Sequence, residues 1–242
     1  MQQLIDKSTL IKRTPLYNIL LKHNVIFAKV VPFNLENDRL RLMDFTSSNT
    51  TLTDEIVNDT GQFGTYINAS LKNYTYGIGG YDELRTVYAR SPVFDDKSEP
   101  RRLHLGIDIW GPAGTPVTAP LGGLLHSLAF NDAFGDYGAT IILQHQLDGM
   151  SFNTLYGHLS LNDLANLSEG AYISRGQEFA HFGPPAENGH WPPHLHFQVV
   201  ENMYEKRGDY PGVCKVSERD HYLENSPDAD LILQMMQYAK EV

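Results

Sequence analysis

Cysteine is nearly missing from this sequence: Cys214 is the only one in 242 residues. No intramolecular disulfide is possible, which suits a reducing compartment. In a Gly-Val-Cys-Lys loop with no partner nearby in sequence, Cys214 reads as a small packing residue rather than a nucleophile. Positive charge is also in deficit. Lys and Arg total 19 against 29 Asp and Glu, a formal net charge of −10. A nucleic-acid binder shows a basic patch or stripe, and anionic membranes and cell-wall polymers attract basic proteins; none of these partners is expected. Long apolar runs are missing too. Asp6, Lys7, Lys12 and Arg13 interrupt the stretch from Met1 to Lys22, so no signal-peptide core is visible. No segment has the length of a membrane span. These absences predict a cytoplasmic protein.

What is present describes a globular protein. The hydrophobic fraction is 41%, near the usual value for a packed domain. The length fits one large domain, or a domain with a sizeable extension. Residues 1–98 read as an α/β extension. Thr14-Pro15 starts a helix that runs to about His23, with Thr as N-cap and Pro at the first position. Val25–Val31 and Arg39–Phe45 read as strands. Phe63, Tyr66, Ile67 and Leu71 stand at helical spacing. Gly77–Tyr81 reads as a turn, followed by a short helix over 83–90 capped by Asp82. The polar run Asp95–Arg101 marks the boundary. From residue 99 to 242 the texture changes to short strands between glycine turns, with a helical tail, which predicts a mainly β domain.

The chemistry-bearing residues sit on three of those strands. In His194–Val200 polar and apolar residues alternate, so His194, His196 and Gln198 share one face and Leu195, Phe197 and Val199 the other. Two imidazoles side by side suit a metal site, or one ligand beside a catalytic base. A surface strand that carries two histidines by chance is the competing reading. In His104–Trp110 the same alternation groups His104, Gly106 and Asp108, with the glycine leaving room for an ion. In Thr154–Ser160 it groups Tyr156 and His158. His23, His126, His145, His181 and His221 show no ligand spacing and read as surface or packing residues.

The ordered set His104-x-x-x-Asp108, Tyr156-x-His158-Leu159-Ser160 and Pro193-His194-Leu195-His196-Phe197 resembles the lysostaphin-type zinc metallopeptidases. The filler between them, Gly114-Thr115-Pro116-Val117, Gly122-Gly123, Gly135-x-Tyr137-Gly138 and Arg175-Gly176-Gln177, resembles that family as well. The likeness covers roughly residues 101–200. It implies a barrel-sandwich-like antiparallel β core (a duplicated hybrid motif) and a zinc metalloendopeptidase, with one Zn2+ per chain and a peptide substrate of peptidoglycan or glycine-containing type. It also implies that His104, Asp108 and His196 are the metal ligands, that His194 is the general base, and that His158 orients substrate or stabilises the oxyanion. Two imidazoles and a carboxylate are a normal catalytic zinc set that leaves a fourth position for water, and an unligated imidazole beside it has a pKa suited to proton transfer. Tyr137, Tyr156 and His190 are the candidate groove residues. The sequence departs from the family in its acidity and in the loop Pro184–Pro193, which puts the substrate in question. Latent relatives carry an N-terminal segment over the groove, and residues 1–98 are a candidate for that role. Gly77–Arg85 and Arg207–Val213 further resemble a metallopeptidase-like module fused elsewhere to kinase-like and aminotransferase domains, which implies an intracellular peptide or amide. A metal-binding regulatory module without turnover is the alternative from another class.

Overall fold

The computed structural model describes residues 13–240; Asp6, Lys7 and Lys12, and the start of the 1–98 extension, lie outside the described residues. The chain begins with α1 (Pro15–Lys22), capped by the Thr14 side chain on Tyr17 N. It continues through β1 (Leu40–Leu42), α2 (Asp54–Asn58), α3 (Thr60–Ser70), β2 (Tyr76–Gly79) and β3 (Glu83–Leu84). Two 3-10 turns, Val87–Arg90 and Pro92–Phe94, lead into β4 (Leu103–His104) and β5 (Ile107–Trp110). Then come β6 (Pro116–Thr118), β7 (Gly123–Asn131), β8 (Gly138–Leu147), β9 (Met150–Leu159), α4 (Leu161–Leu164), β10 (Tyr172–Ile173), β11 (Glu178–His181) and β12 (His194–Val200). The tail holds β13 (Val213–Cys214), α5 (Arg219–Asn225), α6 (Asp230–Leu233) and β14 (Ala239–Lys240).

The fold is mainly β, as expected. One nine-stranded sheet runs β10-β7-β8-β9-β12-β5-β2-β1-β14, and β11-β6 and β13-β4-β3 form two small sheets. The pairs from β10 to β2 are antiparallel; β1 joins β2 and β14 in parallel. The N-terminal strands β1 and β2 thus continue the same sheet as the strands that follow residue 99. No helix among the described residues is long and apolar enough to cross a membrane.

Alternation sorts the side chains onto two faces. Leu195, Phe197 and Val199 of β12 join Ile107, Ile109, Ile141, Leu143 and Tyr156 in the main core. The opposite face carries two further clusters. Phe45, Phe63, Tyr88, Trp110 and Trp191 form one, beneath α3, while Tyr137, Ile142, Leu155 and Tyr210 form the other. The polar residues of β12 emerge between them.

Several expectations are corrected. Val25–Val31 is not a strand: a 3-10 turn covers Asn24–Ile26, and the following residues lie along 118–120 through Ala28 N–Pro120 O and Thr118 N–Val30 O bonds. Gly77–Tyr81 is not a turn but largely strand β2. Its glycines serve close approach, since a Cβ on Gly79 would stand 2.6 Å from Met43 O. Residues 83–90 form no α-helix: Glu83–Leu84 pairs with β4, and Val87–Arg90 turns as a 3-10 helix. The helical pattern expected over 54–72 is divided at Asp59, whose side chain caps α3 on Gln62 N, and ends at Ser70. His104–Trp110 is not one strand but β4 and β5 in different sheets, broken at Leu105-Gly106.

Candidate active site

Strand register brings the candidate ligands together. β12 sits between β5 and β9, with His196 opposite Asp108 on one side and Gly157 on the other. Side chains directly opposite on one face are neighbours, so His196 meets Asp108. The break at Gly106 swings His104 in from the adjoining sheet. Gly106 leaves room for the His196 ring: an added Cβ would lie 2.6 Å from His196 Cε1. The expected space for an ion beside this glycine is taken by that imidazole.

His104 Nε2, Asp108 Oδ1 and His196 Nδ1 converge. The imidazole nitrogens stand 2.9 Å apart, and Asp108 Oδ1 lies 3.3 Å from His104 Nε2 and 3.1 Å from His196 Nδ1. Ligands of tetrahedral zinc at about 2.0–2.1 Å would stand roughly 3.3 Å from one another, so the trio fits a zinc ion. It is also the one group of three or more His, Cys, Asp or Glu side chains among the described residues with metal-ligating geometry. The other ring nitrogens are held by acceptors: His104 Nδ1 donates to Gly80 O at 3.0 Å, and His196 Nε2 faces Gln198 Oε1 at 3.0 Å. Such partners fix the tautomer and aim the lone pair inward. Burial, with Arg85 nearby, lowers His104 to about 4, so the ring is neutral, as a ligand must be. Burial alone would raise Asp108, but the Arg85 guanidinium that ion-pairs with it helps hold the carboxyl well below its usual range.

His194 and His158 stand beside the trio. Their rings are 4.1 Å apart between centroids. Each Nδ1 is met by a carbonyl, Pro192 O for His194 and Asn188 O for His158, both at 2.8 Å. A carbonyl only accepts, so both Nδ1 atoms carry the proton and both Nε2 atoms keep a lone pair. Burial lowers His194 to about 4 and, with His194 adjacent, pushes His158 well below its ordinary value. Trp110 stacks on His194 at 3.9 Å and 15°. His158 reaches its place through a left-handed backbone, φ +63°, which departs from the strand alternation.

That departure separates two residues expected on one face. Tyr156 does not line the groove. It packs in the main core against Phe179 and Phe197, and its hydroxyl accepts from Thr154 Oγ1 at 2.9 Å. Tyr137 does wall the site, and its ring centroid lies 5.1 Å from that of His196. Its ring takes the space above Gly157, where a Cβ would stand 2.4 Å from Tyr137 Cδ1. His190 is exposed, stacks on Phe134 at 5.5 Å, and is not among the cavity walls.

The polar face of β12 is not open to solvent. His104, Asp108, His158, His194 and His196 are 0%, 3%, 6%, 2% and 3% exposed. The 3-10 turns at 87–94 cover them, leaving a cavity of about 130 Å³ walled in part by Tyr88, Phe94, Tyr137, Trp191 and Gly212. Sequence reasoning missed two residues here. Gln198 shares the histidine face by alternation, so its role as acceptor was signalled. Arg85 was not: its Nη1 donates to Asp108 Oδ2, and no spacing relates residue 85 to residue 108.

Residues 102–207 match the profile of Peptidase family M23. An uncharacterized metalloprotease of Haemophilus influenzae is 28% identical over 143 residues, 57% of this chain and 28% of its own length. The DD-carboxypeptidase/endopeptidase Mpg of Neisseria meningitidis is 33% identical over 129 residues, 51% of this chain and 27% of its own. The chain therefore spans less than a third of the curated relatives it matches. Among solved structures, the catalytic domain of the antimicrobial peptidase lysostaphin from Staphylococcus simulans is 21% identical, covering 65% of this chain and 97% of that one with a TM-score of 0.40. A zinc containing peptidase from Vibrio cholerae is 26% identical, covering 44% and 31%, with a TM-score of 0.33.

Proposed function

We propose that the chain is a zinc-dependent metallopeptidase of family M23, whose profile residues 102–207 match, with one ion at His104, Asp108 and His196. The observation that carries this is the pair of unprotonated Nε2 atoms, on His194 and His158, beside a converging His-Asp-His trio. A purely structural ion needs no free base next to it. When bound, zinc supplies Lewis acidity that polarises a carbonyl and acidifies water.

The chain's own residues divide the remaining work. His194 Nε2 accepts the proton of the attacking water and returns it to the leaving nitrogen. Trp110 holds the His194 ring by stacking, and Pro192 O fixes its tautomer. His158, neutral and with Nδ1–H on Asn188 O, presents an acceptor. It suits orientation of the water or of a substrate N–H; stabilising an oxyanion would require a protonated ring. The substrate is a peptide, of peptidoglycan type or containing glycine. A cytoplasmic setting, inferred from sequence, would instead supply an intracellular peptide or amide.

Burial of all five residues favours latency as a second reading, with the preceding segment covering the site until displaced. That segment is tied into the fold, because β2 pairs directly with β5, which bears Asp108. Displacement of 87–94 alone fits this pairing better than removal of residues 1–98.

Metal analysis with peptide turnover tests the assignment. His104→Ala and Asp108→Ala are expected to lose zinc. His194→Ala keeps zinc and loses about 10²-fold or more in turnover. Full turnover in His194→Ala would overturn the roles.

A further inference from the structure

The cavity beside the site has two unlike sides. Its floor is polar and holds Asp108, His158, His194 and His196. The walls opposite that floor are apolar, and several lie outside the 102–207 match: Val87, Tyr88, Val93 and Phe94 precede it, and Val213 follows it. The tyrosines of the lining turn their hydroxyls to partners in the protein. Tyr88 Oη accepts from Arg85 Nη1 at 3.2 Å, Tyr210 Oη accepts from Asn225 Nδ2 at 2.6 Å, and Tyr137 Oη lies 3.4 Å from His196 Nε2. The Tyr88 ring packs on Phe94 at 4.7 Å between centroids. Rings and valine methyl groups are what remain to face the cavity.

We propose that this cavity receives an uncharged apolar side chain of about leucine size, on a residue that flanks the bond to be cut, and that Val93, Phe94 and Val213 set the preference. This rests on the peptidase reading above and specifies its substrate.

Access, charge and size agree with the lining. Val93, Arg101, Asp136 and Pro211 are partly exposed and Asp209 is exposed, whereas the other walls are buried. The cavity therefore opens to solvent at that rim. One enclosure holds both the apolar walls and the imidazoles, so a side chain lodged against the walls keeps its own peptide bond beside His194. As to charge, Arg85 and Arg101 face the carboxylates of Glu83, Asp108, Asp136 and Asp209, and a divalent ion at Asp108 brings that balance to neutrality. A charged side chain of either sign would lose its water with no net opposite charge to meet it. As to size, the cavity of about 130 Å³ is near the ~150 Å³ that holds a benzene-sized group. An isobutyl group fills such a space. Glycine leaves it empty, and the lining then forfeits the dispersion contacts that filling would supply. A peptide with aliphatic residues therefore suits this site better than a run of glycines.

The test uses acetylated pentapeptide amides of alanine whose central residue is glycine, valine, leucine, phenylalanine, lysine or glutamate. Cleavage is followed by mass spectrometry on zinc-loaded wild type, and binding by calorimetry on zinc-loaded His194→Ala. Leucine is expected to exceed glycine by about tenfold or more in kcat/KM and in affinity, with lysine and glutamate below leucine. Val93→Phe, which fills the cavity from its rim, removes the preference while retaining zinc. Val93→Ala, which enlarges the cavity, shifts the preference from leucine towards phenylalanine. Equal handling of leucine and glycine, a preference for lysine or glutamate, cleavage only at bonds that do not flank the central residue, binding of none of the peptides, or an undiminished leucine preference in Val93→Phe overturns the proposal. Should Val93→Phe not fold or not hold zinc, Val93→Ala decides, and an unchanged ratio of leucine to phenylalanine overturns it. Leucine-selective binding without cleavage would reject the peptidase reading and keep the apolar pocket; cleavage without leucine selectivity would do the reverse.

Discussion

Replacing Gln198 by Met should weaken zinc binding without touching a ligand. Gln198 is fully buried. Its Oε1 lies 3.0 Å from His196 Nε2, and its Nε2 donates to Pro211 O at 3.2 Å and to Ser226 Oγ at 3.0 Å. The amide is thus held from behind, and its oxygen obliges His196 to carry its proton on Nε2 and leave Nδ1 free for the metal. Met fills nearly the same volume but accepts no comparable hydrogen bond. His196 then loses the partner that selects its tautomer and orients its ring. Loss of such a partner costs about 10–100-fold in metal affinity, or roughly 1.4–2.8 kcal/mol. Competition against a chromophoric chelator at pH 7.5 measures this directly. Pro211 O and Ser226 Oγ also lose a donor, which costs stability on the order of 1–3 kcal/mol. That loss is read separately from the urea midpoint of the metal-free protein. Gln198→Glu keeps an acceptor on His196 and should bind zinc at least as tightly as wild type. If Gln198→Met binds zinc within twofold of wild type, the assigned tautomer control is wrong.

Two further outcomes follow from packing and burial. Gly106→Ala places a Cβ 2.6 Å from His196 Cε1 and 2.8 Å from Phe197 O. The carbonyl cannot give way cheaply, so about 1–3 kcal/mol of stability is lost together with zinc affinity; an unchanged denaturation midpoint and metal content would contradict this. His145 is held neutral inside the sheet, its Nδ1 on Gly122 O at 3.1 Å and its Nε2 on Thr154 Oγ1 at 2.7 Å. Burial lowers it from 6.5 to about 4. Because its folded pKa lies below its unfolded one, its contribution is fully present above pH 6.5 and fades as pH falls towards 4. The amount is at most about 3 kcal/mol. Urea unfolding at pH 7 and pH 4.5 should show a smaller acid loss in His145→Gln than in wild type, and equal losses would refute the burial argument.

Much of the site was legible because strands impose period two on side chains. Alternation alone places His194, His196 and Gln198 on one face and Leu195, Phe197 and Val199 on the core side. The spacing of His104 and Asp108, and the Thr14-Pro15 helix start, were open to the same local reasoning. Alternation misled where the backbone left the strand. The left-handed His158 turns away from Tyr156, and the break at Gly106 splits one expected strand between two sheets. Glycines at 77 and 79 suggested a turn, when their lack of a side chain serves the close packing of Met43.

The sequence by itself determined the face on which each histidine of β12 lies and the β character of the core, since both depend on residue identity and short-range geometry; the ligand set came only from the family resemblance. Only the tertiary structure decided what covers and tunes those residues. Gly80 O meets His104, Asn188 O meets His158, and Arg85 meets Asp108 across gaps of 24, 30 and 23 residues. Contacts at such separations depend on how strands and loops close over one another, and no local periodicity encodes them. The same closure buries the five site residues beneath residues 87–94 and leaves a cavity of about 130 Å³ beside them.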